Sequence, residues 1–161
     1  MCRRFTTIFV AILLCVASDQ AVKNLAKNNL SFRQSQSFLG DTFRLSLIEN
    51  HGAFLGLGSS LSEEARMIVF VAIIAIGLAV ATVWLLFSPK MSKLTLFATV
   101  LTVAGGLGNL VDRVFNHGGV IDFMNIGIGS IRTGIFNVAD IYITLGTLLF
   151  IVASSKRQKN A

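Results

Sequence analysis

The sequence predicts an α-helical integral membrane protein with four spans, and three observations predict it. Only 14 % of the residues are charged while 53 % are hydrophobic, and the mean hydropathy is +0.72; soluble domains carry about 25 % charge. Four long apolar runs are separated by polar or turn-forming segments. Basic residues cluster at the ends of those runs: Arg3 with Arg4, Lys90 with Lys93, and Lys156, Arg157 and Lys159. Lys and Arg in such places set orientation in a bilayer. At 161 residues, one polytopic domain covering residues 1–161 is expected. The net charge of +6 is spread over these clusters and makes no continuous stripe, so nucleic acid is not an expected partner.

The first span is expected over Phe5 to Lys23, behind Arg3 and Arg4. A secretory signal peptide begins the same way, and Val16-Ala17-Ser18 is a tolerable cleavage site. The helical pattern continuing through Asp19-Gln20-Ala21-Val22-Lys23 favours an uncleaved span. Asp19 and Lys23, spaced i, i+4, share a helix face and can pair; beside hydrocarbon such a pair supports or lines a site. Cys2 and Cys15 have neither metal nor redox spacing.

From Asn24 to Ser60 the chain turns polar. Phe43, Leu45 and Leu47 alternate with Thr42, Arg44 and Ser46, the period of a strand. Glu49-Asn50-His51-Gly52-Ala53-Phe54 follows, then Gly56 and Gly58. A lone loop histidine such as His51 more often meets solvent than substrate. Ser60 and Glu63 form a capping-box pattern that can open a helix. The second span, Met67 to Phe87, has 21 residues, and about 20 cross a bilayer core. Ser88-Pro89-Lys90 ends it in a turn. The third span is expected from Leu94 to Leu110, with Gly105, Gly106 and Gly108 allowing close helix packing or an unwound turn. In the second polar excursion, Val111 to Ile135, the stretch Val120 to Ile128 is strand-like, and Gly127, Gly129 and Ser130 supply a turn. The fourth span runs from Asn137 to Ala153, with Asn137 as N-cap and Asp140 at N3.

With four spans the basic clusters fall on one side, holding seven Lys or Arg and no acid, while all eight acids fall on the other. The basic side is expected to be cytoplasmic, together with both termini, and the polar segments extracytoplasmic.

Among those acids, Asp122 and Asp140 are the candidates for chemistry. Asp140 has a purely structural alternative, since an acid in a first turn stabilises the helix dipole by about 0.3–1 kcal/mol. Asp112 beside Arg113 suggests a local ion pair. Asp122, between Ile121 and Phe123, has no obvious cation. Two adjacent carboxylates do not both ionise easily; they share a proton, so that one activates water while the other protonates the leaving group. The acids are too sparse for a hard-cation site and there is no His/Cys cluster, so neither metal nor cofactor is expected.

The motifs together resemble the lipoprotein signal peptidase (signal peptidase II) family. They are Asp19 with Lys23, Asn50-His51-Gly52-Ala53-Phe54, Gly105-Gly106-Leu107-Gly108-Asn109-Leu110-Val111-Asp112-Arg113, Val120-Ile121-Asp122-Phe123 and Phe136-Asn137-Val138-Ala139-Asp140. Their order and spacing are similar to the family's over nearly the whole chain; Phe54 stands where a second alanine is common. The resemblance implies four transmembrane helices, a small extracytoplasmic β-cradle and a short extracytoplasmic helix. It implies an aspartic endopeptidase of the bacterial inner membrane that cleaves diacylglyceryl-modified prolipoproteins before the lipidated cysteine. It assigns catalysis to Asp122 and Asp140, and places Asp19, Lys23, Asn50, Gly52, Asn109, Arg113, Asn137 and Ala139 around the site. The expected partners are lipid-modified prolipoproteins and membrane lipids, with the chain acting as a monomer. The competing expectations are a four-span transporter or channel using interfacial Asp residues, and a membrane scaffold using the third-span glycines as its interface.

Overall fold

The computed structural model describes residues 2–52, 62–88 and 91–159. The elements are α1 (Cys2–Asn29), β1 (Ser35–Phe38), β2 (Phe43–Asn50), α2 (Glu63–Phe87), α3 (Lys93–Phe115), β3 (Val120–Ile128), β4 (Ile131–Arg132) and α4 (Val138–Lys159). All four helices are long and apolar enough to cross a membrane. Large side chains such as Phe9, Leu14, Ile73, Ile76, Val80 and Ile151 stay exposed on them. That is expected where lipid is the solvent.

The helices extend past their predicted limits. α3 continues to Phe115 rather than ending near Leu110, so Val111, Asp112 and Arg113 are helical and not part of a loop. Asn109 and Asp112 do not end it, because both are buried on faces turned into the bundle. The stop comes at Asn116, whose N–H reaches Asp112 O at 2.7 Å, followed by His117 and Gly118 at φ 49° and 88°. α2 is capped by Ser62, whose Oγ accepts from Ala65 N at 3.3 Å. Ser60 of the expected capping box, with Ala53, Phe54, Gly56, Gly58, Pro89 and Lys90, lies outside the described residues. Among the described residues no helix occurs besides these four.

The third-span glycines serve close packing, not an unwound turn. A Cβ on Gly105 would strike Ala139 O and the Ile143 side chain. On Gly108 it would stand 2.7 Å from Asp19 Oδ2. Between lipid-solvated helices, where burial drives little, small residues let backbones approach and dispersion hold them. Here they bring α1, α3 and the first turn of α4 together.

β1 and β2 lie between α1 and α2, and β3 and β4 between α3 and α4, so both pairs emerge at one end of the bundle. They join as one antiparallel sheet, β1-β2-β3-β4. The register shifts between Leu45, opposite Met124, and Ile48, opposite Asp122. A small core of Ala26, Leu47, Ile121 and Phe123, with Val22, Leu30 and Val138 packed against it, fastens the sheet to α1 and the start of α4. The site is set where that sheet meets the helix ends.

Candidate active site

Asp122 comes from β3 and Asp140 from the first turn of α4, and both line one cavity of about 1000 Å³. The fourth-helix cap links them. Asn137 Oδ1 accepts from Asp140 N at 3.0 Å, and Asp140 Oδ2 accepts from Asn137 N at 3.1 Å. This reciprocal arrangement satisfies donors that a helix start otherwise leaves open. The Nδ2 of the same Asn137 donates to Asp122 Oδ1 at 2.6 Å and to Asn109 Oδ1 at 3.1 Å. Asn50 at the end of β2 donates to Asp122 Oδ2 at 3.0 Å, and Asn109 donates to Asp140 Oδ1 at 2.8 Å. Every carboxylate oxygen of the pair therefore receives one N–H. A carboxylate oxygen has two lone-pair directions, so each retains acceptor capacity.

A buried layer holds this arrangement from behind. Lys23 is 1 % exposed, and its Nζ reaches Asp19 Oδ2 and Asp112 Oδ2 at 2.8 Å each and Asn109 Oδ1 at 3.0 Å. Three N–H groups thus meet three acceptors. Asp19 Oδ1 accepts from Ala139 N at 2.8 Å, and Asp112 Oδ2 accepts from Ile121 N at 3.0 Å. Each anchored backbone group belongs to the residue preceding one of the two cavity aspartates.

Of the expected site residues, Asn50, Gly52, Asn109 and Arg113 line the cavity with the two aspartates. Asp19, Lys23, Asn137 and Ala139 are each at most 1 % exposed and form the layer behind. The expected Asp112–Arg113 ion pair does not form. Neighbours on a helix diverge by about 100°, so Asp112 turns to Lys23 while Arg113 turns to the cavity. His51 faces Glu49 at 3.5 Å and not the aspartates.

Two parts went unanticipated. Gln20 Nε2 donates to Asp112 Oδ1 at 3.0 Å and to Gly108 O at 3.1 Å, clamping α1 to α3. Its signal is a polar side chain next to Asp19 within an apolar run. The cavity walls include Thr133, Gly134 and Phe136 after β4, and Ile141, Thr144 and Leu145 of α4. Ile141 and Leu145 are also open to the lipid side, 37 % and 48 % exposed, so the cavity joins polar groups to a lipid-facing wall.

Burial, with a contribution from the Asp140 charge, pushes the Asp122 carboxyl up to about 6, against the hydrogen bonds from Asn50 and Asn137. The fold therefore favours protonated Asp122. Its contribution to stability is full below the ordinary value of 3.8 and lost as pH rises through about 6. Asp122→Asn removes this dependence. Between pH 4 and pH 7.5 its unfolding free energy relative to the parent is expected to shift in the variant's favour by roughly 1–3 kcal/mol. Thermal or denaturant unfolding at both pH values measures this, and an unchanged difference would contradict the raised value.

The protein-family model described as signal peptidase (SPase) II matches residues 11–156. The lipoprotein signal peptidase of Francisella tularensis subsp. novicida (strain U112) is 37 % identical over 153 residues, spanning 95 % of this chain and 94 % of that protein. That of Borrelia hermsii (strain HS1 / DAH) is 32 % identical over 152 residues, spanning 91 % and 87 %. Among solved structures, a bacterial membrane enzyme determined by the in meso method at 1.9 Å is 28 % identical, with 92 % of each chain covered and a TM-score of 0.79. Another, at 2.3 Å, is 27 % identical, with 96 % of this chain and 91 % of that one covered and a TM-score of 0.79.

Proposed function

Because this chain belongs to the signal peptidase II family, a family of membrane peptidases that remove signal peptides from prolipoproteins, we propose that it is an aspartic endopeptidase working through Asp122 and Asp140. Its substrates are diacylglyceryl-modified bacterial prolipoproteins, cut before the lipidated cysteine. The observation that carries this reading is the Asn137 bridge, which binds Asp122 through Nδ2 and Asp140 through Oδ1 and the backbone N–H at one cavity.

The substrate's apolar signal helix and acyl chains lie against the spans, with Ile141 and Leu145 on the open wall, and the bilayer supplies much of the binding. Asp122 and Asp140 share one proton between them. Burial favours its residence on Asp122, leaving Asp140 to take a proton from water. The resulting hydroxide attacks the scissile carbonyl carbon while the protonated partner donates to the carbonyl oxygen. As the tetrahedral intermediate collapses, the C–N bond breaks and the nitrogen leaves with a proton from the pair. Arg113, the cation on the cavity wall among the described residues, offsets charge developing on the oxygen. Asn109 and Asn137 hold the carboxylates in place beforehand, so little reorganisation is needed.

The seven Lys and Arg of the three basic clusters support cytoplasmic termini and a site on the opposite face of the bacterial inner membrane. One chain supplies both aspartates, so the proposed site is complete within a single copy. The test uses purified protein in lipid vesicles with a diacylglyceryl-modified prolipoprotein and, separately, its unmodified form. The expected product begins with the lipidated cysteine and arises from the modified form only. Equal cleavage of both forms, or ion flux without cleavage, would reject the proposal; flux without cleavage is what a transporter gives.

A further inference from the structure

The sheet ends beside the cavity in a strand edge whose backbone is partly unused. β4 stands last in the order β1-β2-β3-β4, and the chain continues from it along β3, through Thr133 to Phe136, before α4 begins. Two pairings bracket that stretch: Gly127 with Arg132, and Met124 with Phe136. Three steps on β3 thus oppose four on its neighbour, which is a bulge of one extra residue. The bonds that fasten the stretch run inward to β3. Thr133 N donates to Ile126 O at 2.8 Å, Phe136 N donates to Met124 O at 2.8 Å, and Met124 N donates to Phe136 O at 2.9 Å. Asn125 Nδ2 donates to Thr133 O at 2.6 Å. Between these anchors, the N–H and C=O of Gly134 and Ile135 have no hydrogen-bond partner among the described residues.

The fold itself does not call for glycine at position 134. Its φ lies outside the left-handed region, and a Cβ there would meet nothing within 4 Å. At Gly105, Gly108 and Gly127, by contrast, a Cβ would strike neighbouring atoms. Gly134 is exposed, and with Ile135 it lines the same cavity as Asp122 and Asp140. Bare, unpaired backbone on a sheet edge is what an extended peptide adds to, through main-chain hydrogen bonds.

We propose that the Gly134–Ile135 edge receives, as an added strand, the substrate backbone that follows the lipidated cysteine, the first residues of the mature protein. The proposal rests on the peptidase reading above. The order of residues along the cavity wall carries the choice of occupant. Thr144 and Leu145 lie deeper in the fourth span, Asp140 lies in its first turn, and Gly134 precedes it on the side of the sheet. A signal helix seated along the span brings the scissile bond to the aspartates, and the chain beyond that bond continues outward past Gly134. From Gly134 to Asn137, which bridges the aspartates, is ~10 Å at ~3.3 Å per residue. The paired residues therefore fall within about three or four of the scissile bond. Main-chain pairing reads no side chain, so one edge serves mature segments of different sequence, provided that they are extended.

The test uses the full chain in lipid vesicles with synthetic diacylglyceryl-modified peptides that span the cleavage site. Gly134→Val and Gly134→Leu are expected to raise KM about tenfold or more, with kcat within about twofold and the unfolding transition unchanged, because the added side chain meets the peptide and not the protein. With the parent protein, N-methylation of one peptide nitrogen at a time after the cysteine is expected to weaken cleavage about tenfold at alternate positions, since a paired strand turns every second N–H toward its neighbour. Anisotropy of the same peptides, labelled and bound to Asp122→Asn, gives affinity without cleavage and should follow the same pattern. A parent that binds the peptides with this pattern but does not cut them rejects the peptidase reading and leaves the edge in place. Parental binding and cleavage by both Gly134 variants, a loss confined to kcat, or an equal cost of methylation at every position would overturn the proposal.

Discussion

Asp122→Asn and Asp140→Asn are each expected to reduce cleavage of a lipid-modified prolipoprotein by about 10²–10⁴-fold, the range for losing a positioned acid or base. The loss should fall on kcat, because neither carboxylate is asked to hold the signal helix or the acyl chains. Asparagine is the informative replacement. It keeps the shape and one acceptor oxygen, so the Asn137 contact to position 122 and the cap at position 140 can persist. It cannot take a proton from water. The double variant should be little worse than either single one, since each already abolishes the shared proton and groups that act as a unit are strongly non-additive. Single-turnover cleavage in vesicles, with unfolding run alongside, separates lost chemistry from lost fold. Near-parental cleavage by either folded variant would remove that aspartate from the mechanism, and multiplicative losses in the double variant would mean that the two act independently.

The spans were legible because hydrocarbon tolerates few ionisable groups, so the apolar runs stand out. The same scarcity made Asp122 and Asp140 candidates, and the fold brings both to one cavity. Strand β3 was legible to its end residues because Val120 to Ile128 has strand composition bounded by turn residues. β1 was not, because Ser35-Gln36-Ser37-Phe38 is an exposed edge with no alternation to read. β4, two residues long, is defined only by its pairing with Gly127 and Ile128. The end of α3 was misread because polar residues resemble a loop until a partner is known. Asn109 and Asp112, spaced i, i+3, share a helix face, and what lies opposite that face is Lys23 of a helix 86 residues away. Composition cannot supply such a pairing. The same gap hid Gln20 and left Asp112 assigned to Arg113, its neighbour in sequence but not in space.

Lys23→Met is expected to destabilise the protein by about 3–5 kcal/mol, because it leaves buried carboxylates without their cation. Asp19 and Asp112 are 1 % and 3 % exposed and meet the same ammonium at 2.8 Å. Without it their repulsion acts across a dry interior, where water does little to screen it. Their other contacts carry the damage to the cavity: Asp19 fixes Ala139 N and Asp112 fixes Ile121 N, each one residue before a proposed catalytic aspartate. Activity should therefore fall even at temperatures where the variant remains folded. The control is Lys23→Met with Asp19→Asn and Asp112→Asn, which removes all three charges while keeping acceptors for both backbone groups. Replacing a whole buried ion cluster is often nearly neutral where removing one partner is not, so most of the lost stability should return. Denaturant unfolding in mixed micelles, followed by helix content, compares the three proteins. If Lys23→Met unfolds within about 0.5 kcal/mol of the parent, the size of an ordinary surface change, then the buried ammonium does not hold the two carboxylates together and the support assigned to the residues behind the cavity is wrong.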